Sequence, residues 1–228
     1  MDTHLTFDVI TLFPALLEGV VDQSIIGRAV GNGKIGVGLH NLRDWADGPH
    51  KMTDDRPFGG GAGMVLKPEP LFRAIEKFRS ETTTVVYMSP DGENLTTSLA
   101  RELAQEKHLV IVSGHYEGID QRVRDQMVDR EVSIGDYVLT NGTLAAGVLI
   151  DAVSRFVPGV LGKEQSLEQD AFSDNLLGHP QYTRPAEFRG MKVPDVLLSG
   201  HHESISDWRQ QRRKDKTSHL RPELLSTN

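Results

Sequence analysis

The chain has 228 residues and a formal net charge of −7, long enough for one large domain and a smaller one around a core of ordinary size. Its longest apolar runs, Leu109 to Val112 and Leu144 to Ile150, fall far short of the roughly 20 residues that span a bilayer. No basic n-region followed by an apolar stretch opens the chain, so a soluble cytoplasmic protein with no membrane partner is expected. The absence of cysteine excludes disulfides, thiolate metal sites and cysteine nucleophiles.

In chain order, short β-branched runs alternate with helical stretches up to about Val157, the pattern of an α/β sheet with covering helices. Strands are predicted over Leu5 to Leu12, Ile35 to Asn41, Thr83 to Met88, His108 to Ser113 and Glu131 to Leu139. Leu95, Leu99 and Leu103, with Ala100 and Ala104 beside them, mark one face of a helix, and a second helix is predicted from Thr143 to Phe156. Pro158 and Gly159 end it, and Gly162 to Gln169 reads as a linker. Beyond it, Asp195 to Leu220 carries Ile205 and Trp208 at helical spacing. The expected organisation is a first domain over 1–157, a linker over 158–173 and a small helical domain over 174–228.

The net negative charge argues against a nucleic-acid partner, but its distribution does not. Residues 1–183 carry 16 Lys or Arg against 26 Asp or Glu, whereas residues 184–228 carry 9 against 6. Arg209, Arg212, Arg213, Lys214 and Lys216 cluster on one predicted helix, an arrangement suited to phosphates and equally readable as a solvated helix face.

Four glycine-containing segments stand out. They are Arg56-Pro57-Phe58-Gly59-Gly60-Gly61-Ala62-Gly63-Met64, Tyr87-Met88-Ser89-Pro90-Asp91-Gly92, Ser113-Gly114-His115-Tyr116-Glu117-Gly118 and Ser133-Ile134-Gly135-Asp136-Tyr137-Val138-Leu139. The last three fall at or near the C-terminal ends of predicted strands, where open α/β sheets bind ligands, so one shared pocket is expected. The first lacks the Lys-Ser/Thr pair of a Walker loop, and Gly114 to Gly118 lacks the spacing of a dinucleotide fingerprint. Taken singly, each reads as a structural turn. The nine histidines form no His-Glu-x-x-His pair, so no zinc site is expected. His201, His202 and Glu203 read as surface or capping residues.

Together and in this order, the segments resemble the bacterial TrmD-type tRNA (guanine-N1)-methyltransferases of the SPOUT class. The resemblance begins at Phe7-Asp8-Val9-Ile10-Thr11-Leu12-Phe13-Pro14 and Asp54-Asp55-Arg56-Pro57-Phe58-Gly59-Gly60-Gly61. It continues through the three pocket segments and Arg155-Phe156-Val157-Pro158-Gly159-Val160-Leu161-Gly162. It ends in Tyr182-Thr183-Arg184-Pro185 and Val196-Leu197-Leu198-Ser199-Gly200-His201. It implies a trefoil knot in a mostly parallel sheet, which general topology rules would not suggest, and a homodimer whose pocket is shared between subunits. It also implies S-adenosylmethionine as methyl donor, tRNA as substrate at the guanosine 3′ of the anticodon, position 37, and Mg²⁺ with no recognisable ligand set.

By the same resemblance the donor is expected among Tyr87, Ser89 and Pro90, around Gly114, Tyr116, Glu117 and Gly118, along Ser133, Ile134, Gly135, Asp136, Tyr137, Val138 and Leu139, and at Gly142. N1 of guanine carries a proton at neutral pH, so its attack on a sulfonium methyl needs a base, and Asp170 matches the family aspartate. Charge then moves towards O6, where Arg155, matching the family arginine, would stabilise it. Without the resemblance, Asp170 is a linker carboxylate and Arg155 a cation at a helix C-terminus. Ser166 is expected to contact the target nucleoside, and Arg209, Arg212 and Arg213 the tRNA.

The chain departs from the family where Thr140-Asn141-Gly142-Thr143 replaces Ser-Gly-Gly-Glu, and where Gln121 replaces a common Glu. Asparagine tolerates a left-handed backbone, so the turn is expected to persist without the acidic side chain. Competing readings are a SPOUT enzyme acting at another RNA position and a non-catalytic tRNA-binding protein.

Overall fold

The computed structural model describes residues 3–162 and 170–225. Ser166 and the rest of residues 163–169 of the predicted linker lie outside the described residues. The chain divides into two compact units, Met1–Gly162 and Lys163–Asn228, each described by itself.

Unit 1 is built on a five-stranded sheet in the order β2-β1-β6-β5-β7. Its strands are β1 (Leu5–Thr11), β2 (Ile35–Asn41), β5 (Thr83–Asn94), β6 (His108–Ser113) and β7 (Arg130–Ser133), and every pairing is parallel. The two-residue strands β3 (Asp54–Asp55) and β4 (Val65–Leu66) form a small antiparallel ladder. Six helices cover the sheet: α1 (Ala15–Val21), α2 (Ser24–Gly31), α3 (Pro68–Phe78), α4 (Thr97–Leu103), α5 (Gln121–Met127) and α6 (Thr143–Ser154). The fold is α/β, as the alternating sequence pattern predicts.

Strand residues alternate between two buried cores, because successive side chains point to opposite faces. On one face Phe7, Val9, Val86, Leu109 and Ile111 meet Leu99 and Leu103 of α4 and Leu149, Ile150 and Val153 of α6. On the other, Ile10, Val85, Tyr87, Val110 and Val112 meet Leu71 and Ile75 of α3 and Val123 and Met127 of α5. Buried on both faces, the central strands are nearly continuous apolar runs. A Cβ on Gly147 would lie 2.9 Å from Leu17 Cδ2, so this glycine lets α6 approach α1.

β1 ends at Thr11 and β7 begins at Arg130, each one residue from the sequence expectation, while two larger differences shape the cleft. The strand predicted over Glu131 to Leu139 stops at Ser133, because Gly135 takes φ 147° and the Ser133 hydroxyl bonds to both the N–H and the carbonyl of Gly135. The strand predicted to end at Met88 continues to Asn94, with Ser89 to Gly92 bulging out, since both Met88 and Glu93 pair with Val132. A Cβ on Gly92 would meet the Glu131 and Val132 backbone at 2.5 Å. The helix predicted to reach Phe156 ends at Ser154, with Arg155 as its C-cap.

Unit 2 contains a hairpin of β8 (Glu187–Phe188) and β9 (Met191–Lys192), turned by Arg189 and Gly190 at positive φ. Two helices follow, α7 (Asp195–Leu198) and α8 (His202–Leu220). Within the stretch Asp195 to Leu220, expected to form a small helical domain, Gly200 at φ 74° separates the two helices. Thr217 is buried and its hydroxyl accepts the Leu177 N–H at 2.9 Å, while Arg213 bonds to Asp174 and to the Leu177 carbonyl, tying α8 to the preceding segment.

Candidate active site

The C-terminal ends of β5, β6 and β7 open into one cavity of about 330 Å³. Segments far apart in sequence converge there because parallel strands deliver their following loops to the same sheet edge. Tyr87, Ser89, Pro90, Gly114, Tyr116, Glu117, Gly118, Ser133, Ile134, Gly135, Tyr137, Val138, Leu139 and Gly142 all line it. Asp136, the remaining residue of that expectation, is exposed and is not among the lining residues.

Main-chain bonds tie the walls together. The Gly142 N–H donates to the Gly114 carbonyl at 2.8 Å, and His115 bridges to Asn141, joining the second and third loops. His115 Nδ1 lies 2.9 Å from the Thr140 carbonyl, to which it donates, while its ring meets Phe13 edge-on at 5.2 Å. The Tyr137 N–H donates to Gly135 O at 2.9 Å, and the Asp91 N–H to the Ser89 hydroxyl at 3.2 Å. A Cβ on Gly142 would come within 3.1 Å of the Gly114 nitrogen, so main chain meets main chain where the loops cross. Tyr116 holds φ 57°, a costly conformation for an aromatic residue, and leaves its ring half-exposed over the cavity.

Beneath the loops, Tyr87 is buried under the Arg124 guanidinium, 5.7 Å from the ring centroid. Burial pushes its phenol above the ordinary range, against the opposing pull of Arg124. Arg124 is held by two bonds to Glu131, at 2.8 and 2.6 Å. The cavity therefore offers backbone donors and acceptors, apolar side chains and one fixed cation, a surface that recognises the edges and faces of a flat heterocycle.

The glycine-rich segment ending at Met64 reaches the same place. Glu117 N–H donates to the Met64 carbonyl at 3.0 Å and Leu66 N–H to Gly118 O at 2.9 Å, and the Glu117 carboxylate fills the space a Cβ on Gly63 would need.

The departures from the family turn have a structural answer. Asn141 does not take a left-handed backbone; its side-chain oxygen instead accepts the Thr143 N–H at 3.0 Å, capping the first turn of α6. Thr143 points inward and shares a 2.7 Å hydroxyl bond with Thr11. Gln121 bonds to Asp125 at 2.7 Å along α5.

His115 and Arg124 line the cavity without having been predicted to. His115 could have been found, since it sits inside a singled-out segment; nothing in the local sequence marks Arg124. Arg155 caps α6 in unit 1, and Asp170 belongs to unit 2, where its carbonyl accepts the Ser173 hydroxyl at 2.9 Å. In unit 2, Arg213 is 12% exposed and committed to Asp174, Arg212 pairs with Asp215 at 3.3 Å, and Arg209 is exposed. Among the described residues no group of three or more His, Cys, Asp or Glu could hold a metal ion, and no helix is long and apolar enough to cross a membrane.

Comparison with known proteins bears on the whole length. The family model described as tRNA (Guanine-1)-methyltransferase TrmD matches residues 5–227. A tRNA (guanine-N(1)-)-methyltransferase of Geobacter sulfurreducens is 54% identical over 223 residues, covering 97% of this chain and 91% of the relative. The protein of the same description from Geotalea uraniireducens is 53% identical over 224 residues, with the same coverage of both chains. That of Protochlamydia amoebophila is 50% identical over 219 residues, covering 96% of this chain and 99% of the relative.

Proposed function

The chain belongs to the tRNA (guanine-1)-methyltransferase TrmD family, and from that premise we propose that it transfers a methyl group from S-adenosylmethionine to N1 of the guanosine 3′ of the anticodon, position 37, in tRNA. The observation that carries this reading is the convergence of the 87–91, 114–118 and 132–142 segments into one cavity.

The residues present fit the donor. Gly114 and Gly142 keep the main chain open where a Cβ would intrude, and the loops around Ser89, Tyr116 and Ser133 present N–H and C=O groups to an adenosyl and a methionyl group. When bound, S-adenosylmethionine supplies an electrophilic methyl on a sulfonium. Asp170 takes the proton from guanine N1, so that the nitrogen lone pair is free to attack in line. Arg155 donates to O6, where negative charge gathers as that proton leaves. In this reading Asp170 reaches the target guanine as tRNA binds, which couples recognition to the chemistry.

The site is completed between two subunits in this reading. Leu144 and Val148, one turn apart on α6, and Leu16 on α1 are each about half exposed, an apolar surface that a second copy of unit 1 would cover.

Incubation with unmodified tRNA and methyl-labelled donor, followed by nucleoside analysis, tests the reading. Label in 1-methylguanosine, lost when position 37 is adenosine, is expected. Label in another nucleoside, or none, overturns it.

A further inference from the structure

Unit 2 holds a second cavity, of about 400 Å³, between the 179–186 segment, α7 and α8. Its floor is apolar, formed by Val193, Leu197 and Ile205, and Tyr182 stands beside it half-exposed. Two arginines line it, Arg184 and Arg209, and among the described residues no Asp or Glu does. Arg209 lies four residues after Ile205 on α8, so a guanidinium and a floor residue share one helix face.

The state of these cations separates them from their neighbours. Arg213 is committed to Asp174 and Arg212 pairs with Asp215, whereas among the described residues Arg184 and Arg209 meet no carboxylate within ion-pair distance. A pocket with an apolar floor, an aromatic wall and two unpaired guanidiniums matches a ligand with a flat face and an anionic end. Residues 184–228 are also the part of the chain with excess positive charge, so a polyanion is drawn to this end.

We propose that this cavity is a nucleotide subsite: one unstacked nucleotide of the RNA substrate lies with its base against Tyr182 and its phosphate between Arg184 and Arg209. Base stacking on an aromatic side chain and charge-assisted bonds from arginine are the two ways single-stranded RNA is held without base-pair readout. The inference rests on tRNA as the substrate and adds a contact made by unit 2.

The test is filter binding of unmodified tRNA, without donor, over a range of salt concentrations, for the wild type, the Arg184→Gln/Arg209→Gln double variant, Tyr182→Leu and Tyr182→Phe. Melting temperature and donor affinity verify that each variant is folded. The double variant is expected to bind on the order of tenfold more weakly and to flatten the salt slope by about 0.7, for the one phosphate no longer neutralised. Tyr182→Leu is expected to lose on the order of tenfold with the slope kept, and Tyr182→Phe to retain affinity. Wild-type affinity and slope in the folded double variant overturn the proposal, as does Tyr182→Leu binding like Tyr182→Phe. Wild-type protein that binds tRNA but forms no 1-methylguanosine overturns the proposed reaction instead and leaves the subsite result readable.

Discussion

A Cβ placed on Gly114 would stand 2.9 Å from the phenolic oxygen of Tyr87 and 3.1 Å from its Cε2. The ring cannot swing away, because it is buried among Ile119, Val123 and Val112. Gly114→Ala is therefore expected to destabilise unit 1 by about 1–3 kcal/mol, the usual cost of overpacking, and to weaken donor binding. Adding Tyr87→Phe should recover only part of the loss, since the ring carbon remains close. Denaturant melts and donor titrations on the single and double variants read both effects.

Asp170→Ala is expected to lower the single-turnover methyl-transfer rate by about 100- to 10,000-fold, the range for a general base, with donor affinity near wild type. Arg155→Lys should also be slow, because an ammonium cannot present a planar pair of donors. A large loss of donor binding in Asp170→Ala would contradict the division of roles.

Thr143 shares its hydroxyl bond with a buried Thr11. Thr143→Val keeps the shape and removes that bond, so a loss of about 1 kcal/mol is expected, read as a lower Tm. The Phe13 N–H already donates to Thr11 Oγ1 at 3.1 Å, which limits the loss by keeping that oxygen partnered.

Because burial raises the Tyr87 phenol above the ordinary tyrosine range, the folded protein holds this proton more tightly than the unfolded chain. The associated stability is intact below the unfolded value, about 10, and is lost as pH rises through the folded one. Urea melts above pH 10 should show wild type losing stability more steeply than Tyr87→Phe. Parallel curves would show that Tyr87 does not contribute.

Much of this was legible in the sequence, for physical reasons that also mark where legibility stops. The apolar run Leu109 to Val112 marked β6 to the residue, because a central strand buried on both faces carries an unbroken apolar signal. The end of β7 was missed because Ile134, Tyr137 and Val138 continue a strand-like composition while Gly135 and the Ser133 hydroxyl turn the chain. Where the helical domain divides into two helices was not read, because Ile205 and Trp208, which carry the helical spacing, both lie beyond Gly200. The pocket loops were found together because parallel strands bring their C-terminal ends to one edge. Arg124 and the cavity around Arg184 and Arg209 were not, since each is assembled by tertiary contacts with no local pattern.

The most direct test of the donor cleft is amide hydrogen exchange on the intact protein with and without saturating S-adenosylmethionine. Protection is expected in the 87–92, 113–118 and 133–142 segments, and most strongly at Gly114 and Gly142, where the loops cross. Protection confined to other parts of the chain, or exchange unchanged at saturation, would contradict the account.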